Sequence, residues 1–297
     1  MNWSYIPEKY AKECPEKEAV IFEDRRITYG ELSERVNALA KGLLDLGLGK
    51  GDIIAILLYN CSEFMELTFA INKIGAAWLP LNWRLAGEEL AYILNHGEAK
   101  MLFSEADFYE TLTNIKDKLP KIKNYIGVGK TVSAGWESYD DIIKRNSGIE
   151  VPTAIVELDD LERLMYTSGT TAHPKGVMIT YENLYWKNVG HIITLNLTSD
   201  EKSLVVGPLY HVGGMDLCAT AVLQLGGSIF ILRRFDAIKV LETIDKERIT
   251  QIWLAPAMIN MLLQEPTFGN YDVSSVRLVI DGGEKMPLPL IEEAKGQ

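Results

Sequence analysis

Between Tyr166 and Gly176 the chain reads Tyr-Thr-Ser-Gly-Thr-Thr-Ala-His-Pro-Lys-Gly. The hydroxyl residues Thr167, Ser168, Thr170 and Thr171 crowd around Gly169 and stand just before Lys175, whereas a plain turn needs only two or three polar or flexible positions. Glycine lets backbone approach a bulky anion, hydroxyls and free N–H groups donate hydrogen bonds, and lysine adds a compact positive charge. That set suits a polyphosphate. It is not a P-loop of the usual kind, because G-x-x-x-x-G-K-[ST] counted from Gly169 needs glycine where Pro174 stands and a hydroxyl where Gly176 stands. The competing reading is a polar hairpin with an incidental lysine.

Two further polar clusters follow apolar, strand-like runs. Pro208-Leu209-Tyr210-His211-Val212-Gly213-Gly214 comes after Ser203 to Gly207, and Asp281-Gly282-Gly283-Glu284-Lys285-Met286-Pro287 comes after Val276 to Ile280. In parallel α/β sheets, ligands bind beyond the carboxyl ends of strands, so both clusters are candidates. A histidine beside two glycines at such a place can face a ligand or be a hydrogen-bonded structural residue, and the residues alone leave both readings open. His96, His173 and His191 have no comparable setting. The glycine pair at 282 and 283 also reads as an ordinary turn into a helix with proline near its start.

The elements needed to position these clusters alternate along the chain. Strand-like Ala19 to Glu23 and Arg26 to Ile27 suggest a hairpin around Asp24-Arg25. Thr28 and Glu31 fit a capping box for a helix with Leu32, Val36, Leu39, Leu43 and Leu46 at helical spacing. Buried strands at Asp52 to Tyr59 and Ala76 to Leu81 flank a helix capped by Ser62 and ending near Gly75. Helix Gly87 to Asn95, strand Lys100 to Ser104, helix Asp107 to Lys118 and strand Asn124 to Val128 continue the alternation. An irregular, charged connection with one short helix runs to Leu158. Leu161, Leu164 and Met165 lead into the hydroxyl loop and Val177 to Ile179 lead out of it. Helices at Glu182 to Leu195, Met215 to Leu225, Ala237 to Lys246 and Pro256 to Leu263 then alternate with strands at Ser203 to Gly207, Ser228 to Leu232, Gln251 to Leu254 and Val276 to Ile280. The expected fold class is α/β: two related doubly wound, mainly parallel sheets packed through helices. The expected division is a first subdomain over 1–155 and a second over 156–297 that carries the loop.

The chain has 297 residues, 47% hydrophobic and 24% charged, enough for a sizeable core. Its formal charge of -11 disfavours a nucleic-acid or anionic-membrane binder, whose phosphate contacts need clustered Lys and Arg. Cys14, Cys61 and Cys218 are widely spaced, with no C-x-x-C pair, so neither a disulfide framework nor a zinc cluster is indicated. No basic region followed by an apolar core stands at the start, and no apolar run approaches about 18 residues, so a cytoplasmic protein without a transmembrane segment is expected.

The stretch Tyr166 to Gly176 resembles the phosphate-binding signature of the acyl-adenylate-forming superfamily: acyl-CoA synthetases, the adenylation domains of nonribosomal peptide synthetases, and firefly luciferases. Ala172 stands where that family usually has glycine. Gly75-Ala-Ala-Trp-Leu-Pro-Leu-Asn-Trp-Arg-Leu85 is similar to the acyl-CoA synthetase branch, and the resemblance runs from about Ile21 onward. It implies an acid-thiol ligase that uses ATP, Mg²⁺ and coenzyme A to turn a carboxylic acid, expected to be a fatty acid, into its acyl-CoA through an acyl-adenylate. By this resemblance, Thr167, Ser168, Gly169, Thr170, Thr171 and Lys175 orient phosphates and His211 lies beside the reacting carboxylate. Gly282, Gly283 and Glu284 lie between adenine and the acyl group, and Val212, Gly213, Trp253 and Pro256 border the acid, although Trp253 reads equally well as plain core.

Family members are considerably longer, and no residue of this chain maps onto the glutamate that helps hold Mg²⁺, the ribose-binding aspartate or the adenylation lysine. No metal ligand is therefore assigned. The chain is expected to be the amino-terminal portion of a ligase and inactive alone, with uncovered surface favouring a homo-oligomer. Alternatives are a non-catalytic nucleotide- or acyl-binding module, an aromatic-acid CoA ligase, and an amino-acid adenylation relative. The last is disfavoured because Asp216, five residues after His211, is not where an aspartate gripping an α-amino group is expected. An unrelated NTP hydrolase is disfavoured by the absent P-loop hydroxyl.

Overall fold

The first helix, α1 (Tyr5–Glu13), buries only Ile6, Pro7 and Tyr10, too few apolar positions to stand out in the sequence. Helix α2 (Tyr29–Asp45) begins as its composition predicts. The Thr28 hydroxyl accepts from the Glu31 N–H at 3.2 Å, and the Glu31 carboxylate accepts from the Thr28 N–H at 2.9 Å. The computed structural model describes residues 1–167 and 174–296, with Lys295 described by its backbone alone. Two compact units result, one of Met1–Lys17, Thr28–Leu58 and Glu63–Lys187, the other of Glu18–Ile27, Tyr59–Ser62 and Asn188–Gln297.

The fold is mixed α/β with two mainly parallel sheets. The first unit is built on seven strands. Its strands β3 (Ile53–Leu57), β4 (Ala77–Pro80), β5 (Ala99–Glu105), β6 (Asn124–Val128), β7 (Glu137–Ser138), β8 (Leu161–Thr167) and β9 (Lys175–Thr180) lie in the order β7-β6-β5-β3-β4-β8-β9. All neighbours run parallel except β8 and β9, which are antiparallel. Helices α3 (Ser62–Lys73), α4 (Gly87–His96), α5 (Tyr109–Ile115) and α6 (Tyr139–Asn146) connect these strands. Ser62 is the first helical residue of α3 rather than the residue before it. Unbroken apolar runs such as β3 and β4 are buried throughout or nearly so, the pattern of strands covered on both faces.

Helix α3 places charge inside the unit and pairs it. The Glu66 carboxylate is buried and accepts from Arg35 Nε at 2.8 Å and from the Tyr139 hydroxyl. Buried Lys73 pairs with Glu8 and donates to the Thr153 hydroxyl at 3.1 Å. Buried charges persist only when satisfied in this way.

The second unit has six strands, β1 (Glu18–Phe22), β2 (Arg25–Thr28), β10 (Lys202–Val205), β11 (Ser228–Ile231), β12 (Gln251–Leu254) and β13 (Leu278–Asp281), in the order β13-β12-β10-β11-β1-β2. The chain crosses into it within α7 (Tyr181–Thr194). After α8 (Val212–Gly214), a π-helical stretch at Met215–Thr220 and α9 (Ala221–Gln224), helices α10 (Ala237–Glu247), α11 (Pro256–Leu263) and α12 (Leu288–Lys295) follow. The buried cluster Leu204, Phe230, Val240, Leu241, Ile244 and Ile252 joins α10 to the strands.

These units part differently from the division expected at residue 155. The strands flanking the hydroxyl loop belong to the first sheet, and the amino-terminal β1 and β2 belong to the second. The first shift has a local cause. Glu162 of β8 is buried, its carboxylate accepts from the Trp78 indole N–H of β4 at 2.8 Å, and its carbonyl accepts from the Asn72 amide at 3.2 Å. The Arg163 guanidinium lies 5.2 Å from the Trp78 ring centre and 3.3 Å from the Glu162 carboxylate. The second follows from β1, whose Val20, Ile21 and Phe22 register with Ile229, Phe230 and Ile231 of β11. Removing one member of a buried ionic set typically costs about 3 kcal/mol or more, so Glu162→Ala should lower unfolding free energy by about 3 kcal/mol. Urea unfolding checks this, and a loss under about 1 kcal/mol would remove Glu162 as the anchor of β8.

Candidate active site

The loop's stem is a hairpin. Tyr166 registers with Gly176 and Thr167 with Lys175, so the last two described residues on one side face the second and third described residues on the other. Gly176 sits in a close space between neighbouring side chains. A Cβ there would sit 3.1 Å from Leu164 Cδ1 and 3.2 Å from Tyr166 Cζ. Thr167 and Lys175 are exposed, and among the described residues no carboxylate pairs with the Lys175 ammonium. Ser168, Gly169, Thr170 and Thr171, together with Ala172 and His173, lie outside the described residues.

His96 has a setting that its sequence neighbourhood does not announce. It ends α4 with its Nδ1 2.5 Å from the Tyr166 hydroxyl. The Tyr166 phenol is pushed up to about 12, first by burial and then by Tyr92.

In the second unit, the neighbouring strands β13, β12 and β10 carry the other candidates at or just beyond their carboxyl ends. His211 follows β10 as the N-cap of α8, and its Nδ1 accepts from the Gly213 N–H at 3.2 Å. That bond assigns the proton of the neutral ring to Nε2, which is left to face outward. His211 and Val212 are exposed, while Gly213 and Gly214 are buried. Gly214 cannot carry a side chain, because a Cβ would lie 2.5 Å from the Gly207 carbonyl oxygen and 2.6 Å from that of Pro208.

The Trp253 indole is the wedge of this cluster. A Cβ on Gly207 or on Gly213 would fall 2.8 Å from its six-membered ring, and one on Gly282 would fall 3.4 Å from its Nε1. One buried side chain therefore touches the turn after β10 and the turn after β13. Its indole N–H is buried without a hydrogen-bond partner among the described residues. Both readings of Trp253, packing residue and site residue, thus rest on one position. Pro256 is buried as the first residue of α11. Gly283 has φ +98°, a conformation that side chains rarely adopt. Exposed Glu284 borders an open cleft of about 430 Å³ with Pro256, Asn260 and Lys285.

Asn60 is a positioning residue that the sequence does not reveal. Its amide donates to the carbonyls of Gly207 at 2.9 Å and Leu232 at 3.1 Å, and its oxygen accepts from the Leu209 N–H at 2.8 Å. Both of its N–H donors and its carbonyl oxygen go into pinning the chain just beyond β10 and β11, beside His211. A polar residue in the short run Tyr59-Asn60-Cys61-Ser62 looks like a turn, so no sequence signal marks it.

Among the described residues, no group of three or more His, Cys, Asp or Glu side chains converges to hold a metal. No helix among the described residues is long and apolar enough to cross a membrane.

Mainly parallel sheets with polar, glycine-containing turns at the carboxyl ends of their strands place the chain among α/β folds that bind ligands at those ends. The chain belongs to the AMP-binding enzyme family, which matches residues 7–297. This agrees with the resemblance carried by Tyr166 to Gly176. The chain is 33% identical over 294 residues to an indoleacetate–CoA ligase of Aromatoleum aromaticum, covering 99% of this chain and 57% of that protein. The solved anthranilate CoA ligase AuaEII in complex with anthranoyl-AMP superposes with a TM-score of 0.95 at 25% identity, covering all of this chain and 57% of that one. A Mycobacterium tuberculosis fatty acyl CoA synthetase gives a TM-score of 0.89 at 28% identity, over 99% of this chain and 56% of that one. The chain thus spans a little over half the length of these relatives.

The contacts of Trp253 make a direct test. Gly213→Ala should cost about 1–3 kcal/mol, the range for forcing a methyl group into a packed site. Trp253→Phe removes the indole's second ring and should recover much of that loss in the double variant. Thermal and chemical unfolding of the two single variants and the double variant measure this coupling; additive losses would disprove the wedge.

Proposed function

We propose that the intact enzyme is a cytoplasmic acid-thiol ligase. It joins a carboxylic acid to ATP with release of pyrophosphate and then passes the acyl group of the acyl-adenylate to the thiol of coenzyme A. Membership of the AMP-binding enzyme family, with CoA ligases as relatives along nearly all of this chain, is the observation that carries the reading. The first step brings two anions together, so the protein must neutralise charge and fix an in-line approach. In this proposal Lys175, Thr167 and the hydroxyls of Ser168, Thr170 and Thr171 orient the leaving phosphates, with Gly169 admitting them close to the backbone. They supply no nucleophile, acid or base.

His211 takes the acid's carboxylate. Its Nδ1 is engaged by Gly213, so the outward Nε2–H is the group offered to a carboxylate oxygen. Gly213, Val212, Trp253 and Pro256 border the acid, and Gly282, Gly283 and Glu284 border the nucleotide. An aryl acid is supported by the indoleacetate and anthranilate ligases among the relatives. A fatty acid is the second reading, supported by the fatty acyl CoA synthetase. A panel of both acids with ATP, Mg²⁺ and coenzyme A, read for acyl-CoA by mass spectrometry, separates them. No product from any acid would refute the ligase assignment.

Lys175→Met should lower acid-dependent pyrophosphate exchange by about one to two orders of magnitude, the scale of a lost charge-assisted contact. An unchanged rate would sink the phosphate assignment. His211→Ala should lower turnover by about ten-fold or more while changing stability by less than about 1 kcal/mol, because an exposed strand-end side chain packs little. Melting beside the exchange assay decides it, and a large stability loss matched to the activity loss would make His211 structural.

A further inference from the structure

The phosphate loop is bracketed by two residues that one turn of α4 touches. On the entering side, Tyr166 lays its ring across Gly176, and its hydroxyl meets His96 Nδ1 at 2.5 Å. On the leaving side, the Tyr92 hydroxyl reaches the Pro174 carbonyl at 3.5 Å, a long bond. Tyr92 and His96 are four residues apart and share one helix face, where their rings stack with centres 5.4 Å apart and 21° between planes. The His96 and Tyr166 rings meet edge to face at 5.7 Å and 82°.

This helix end is itself fixed. Gly97 lets it close onto the sheet, since a Cβ there would lie 3.0 Å from Leu79 Cδ2 of β4 and 3.2 Å from Leu164 Cδ2 of β8. The Asn95 amide donates to the Lys118 carbonyl at 2.8 Å. Burial holds the Tyr166 phenol up at about 12, so its hydroxyl keeps its proton beside His96 Nδ1.

We propose that His96, Tyr92 and Tyr166 form a brace that sets Thr167 and Lys175 against each other, making them positioning residues for ATP. Side chains that must bind an anion lose less freedom on binding when their positions are fixed in advance. The brace touches no reacting atom. It acts through Tyr166, whose neighbour Thr167 is the register partner of Lys175. The inference rests on the reading of this loop as the phosphate site.

The test is a double-mutant cycle on the intact enzyme, read as KM for ATP and kcat in acid-dependent pyrophosphate exchange. Tyr166→Phe keeps the ring over Gly176 and removes the hydroxyl, and His96→Ala removes its partner. Each should raise KM for ATP by about three- to ten-fold, the scale of one net hydrogen bond, with kcat changed by less than about two-fold. The double variant should be no worse than either single. His96→Asn, whose amide can bond at the Nδ1 position, should restore KM. Additive effects, no rescue by asparagine, or a fall in melting temperature with KM unmoved would each overturn the brace while Lys175→Met still shows its loss. If Lys175→Met leaves exchange intact, the phosphate reading fails first and the brace falls with it.

Discussion

A buried carboxylate decides where the strand leading into the hydroxyl-rich stretch is held. Glu162 lies in a strand whose partners are β4, reached through the single register pair Trp78 and Arg163, and β9 on its other side. So short a ladder is a weak attachment by itself. The Trp78 indole N–H and the Asn72 amide add directional bonds to the Glu162 carboxylate and carbonyl, and Arg163 supplies the counter-charge. Each of these groups is buried, so each carries a large penalty if its partner moves. The register of β8 is thereby fixed, and with it the facing of Thr167 and Lys175. A polar network thus does for the site what apolar packing alone does poorly, since apolar faces tolerate sliding.

In the second unit the equivalent constraint is steric. Gly207, Gly213 and Gly282 are distant in sequence and share one neighbour, the Trp253 indole. Backbone can approach a flat aromatic face this closely only where Cβ is missing, so Gly207 and Gly213 are glycine because of the tryptophan, while Gly282 lies at ordinary contact distance from it. Asn60 completes the arrangement by tying the ends of β10 and β11 with directional bonds. His211 then stands on a turn held from two sides and needs no burial of its own. The π-helical stretch that follows, Met215–Thr220, starts from this crowded turn. Wide turns of this kind are frequent beside functional sites.

Local signals in the sequence are legible here to nearly single-residue detail. The capping box at Thr28 and Glu31, the strands Gln251–Leu254 and Asn124–Val128 and the helix Pro256–Leu263 occur where their composition places them. Partnership between distant segments is not legible. An apolar run such as Leu161–Thr167 does not state which sheet it joins, because that depends on Trp78 and Asn72, some ninety residues earlier. The β1 strand likewise pairs with β11 across more than two hundred residues. His96 and Asn60 fall in the same class. Nothing in their own neighbourhoods distinguishes a solvent-facing histidine at a helix end from one that meets a tyrosine seventy residues away. Residues that could touch ligand announce themselves by unusual composition, and residues that hold them do not.

The net charge of the chain sharpens what the proposed phosphate site must be. With 41 acidic and 30 basic residues, the net charge of this chain repels a nucleotide polyanion. At physiological ionic strength that repulsion is screened beyond about 8 Å, so it slows approach without governing the bound state. Binding then has to come from groups within hydrogen-bonding reach: hydroxyls, backbone N–H groups and one lysine with no carboxylate partner among the described residues. Short-range donors of this kind are effective only when their positions are set in advance, because each must otherwise be ordered at the moment of binding. An acidic protein that binds an anion locally therefore depends on the rigidity of its loop stem more than a basic one would. In this chain the stem's rigidity traces to Glu162 below, Gly176 across and His96 beside it.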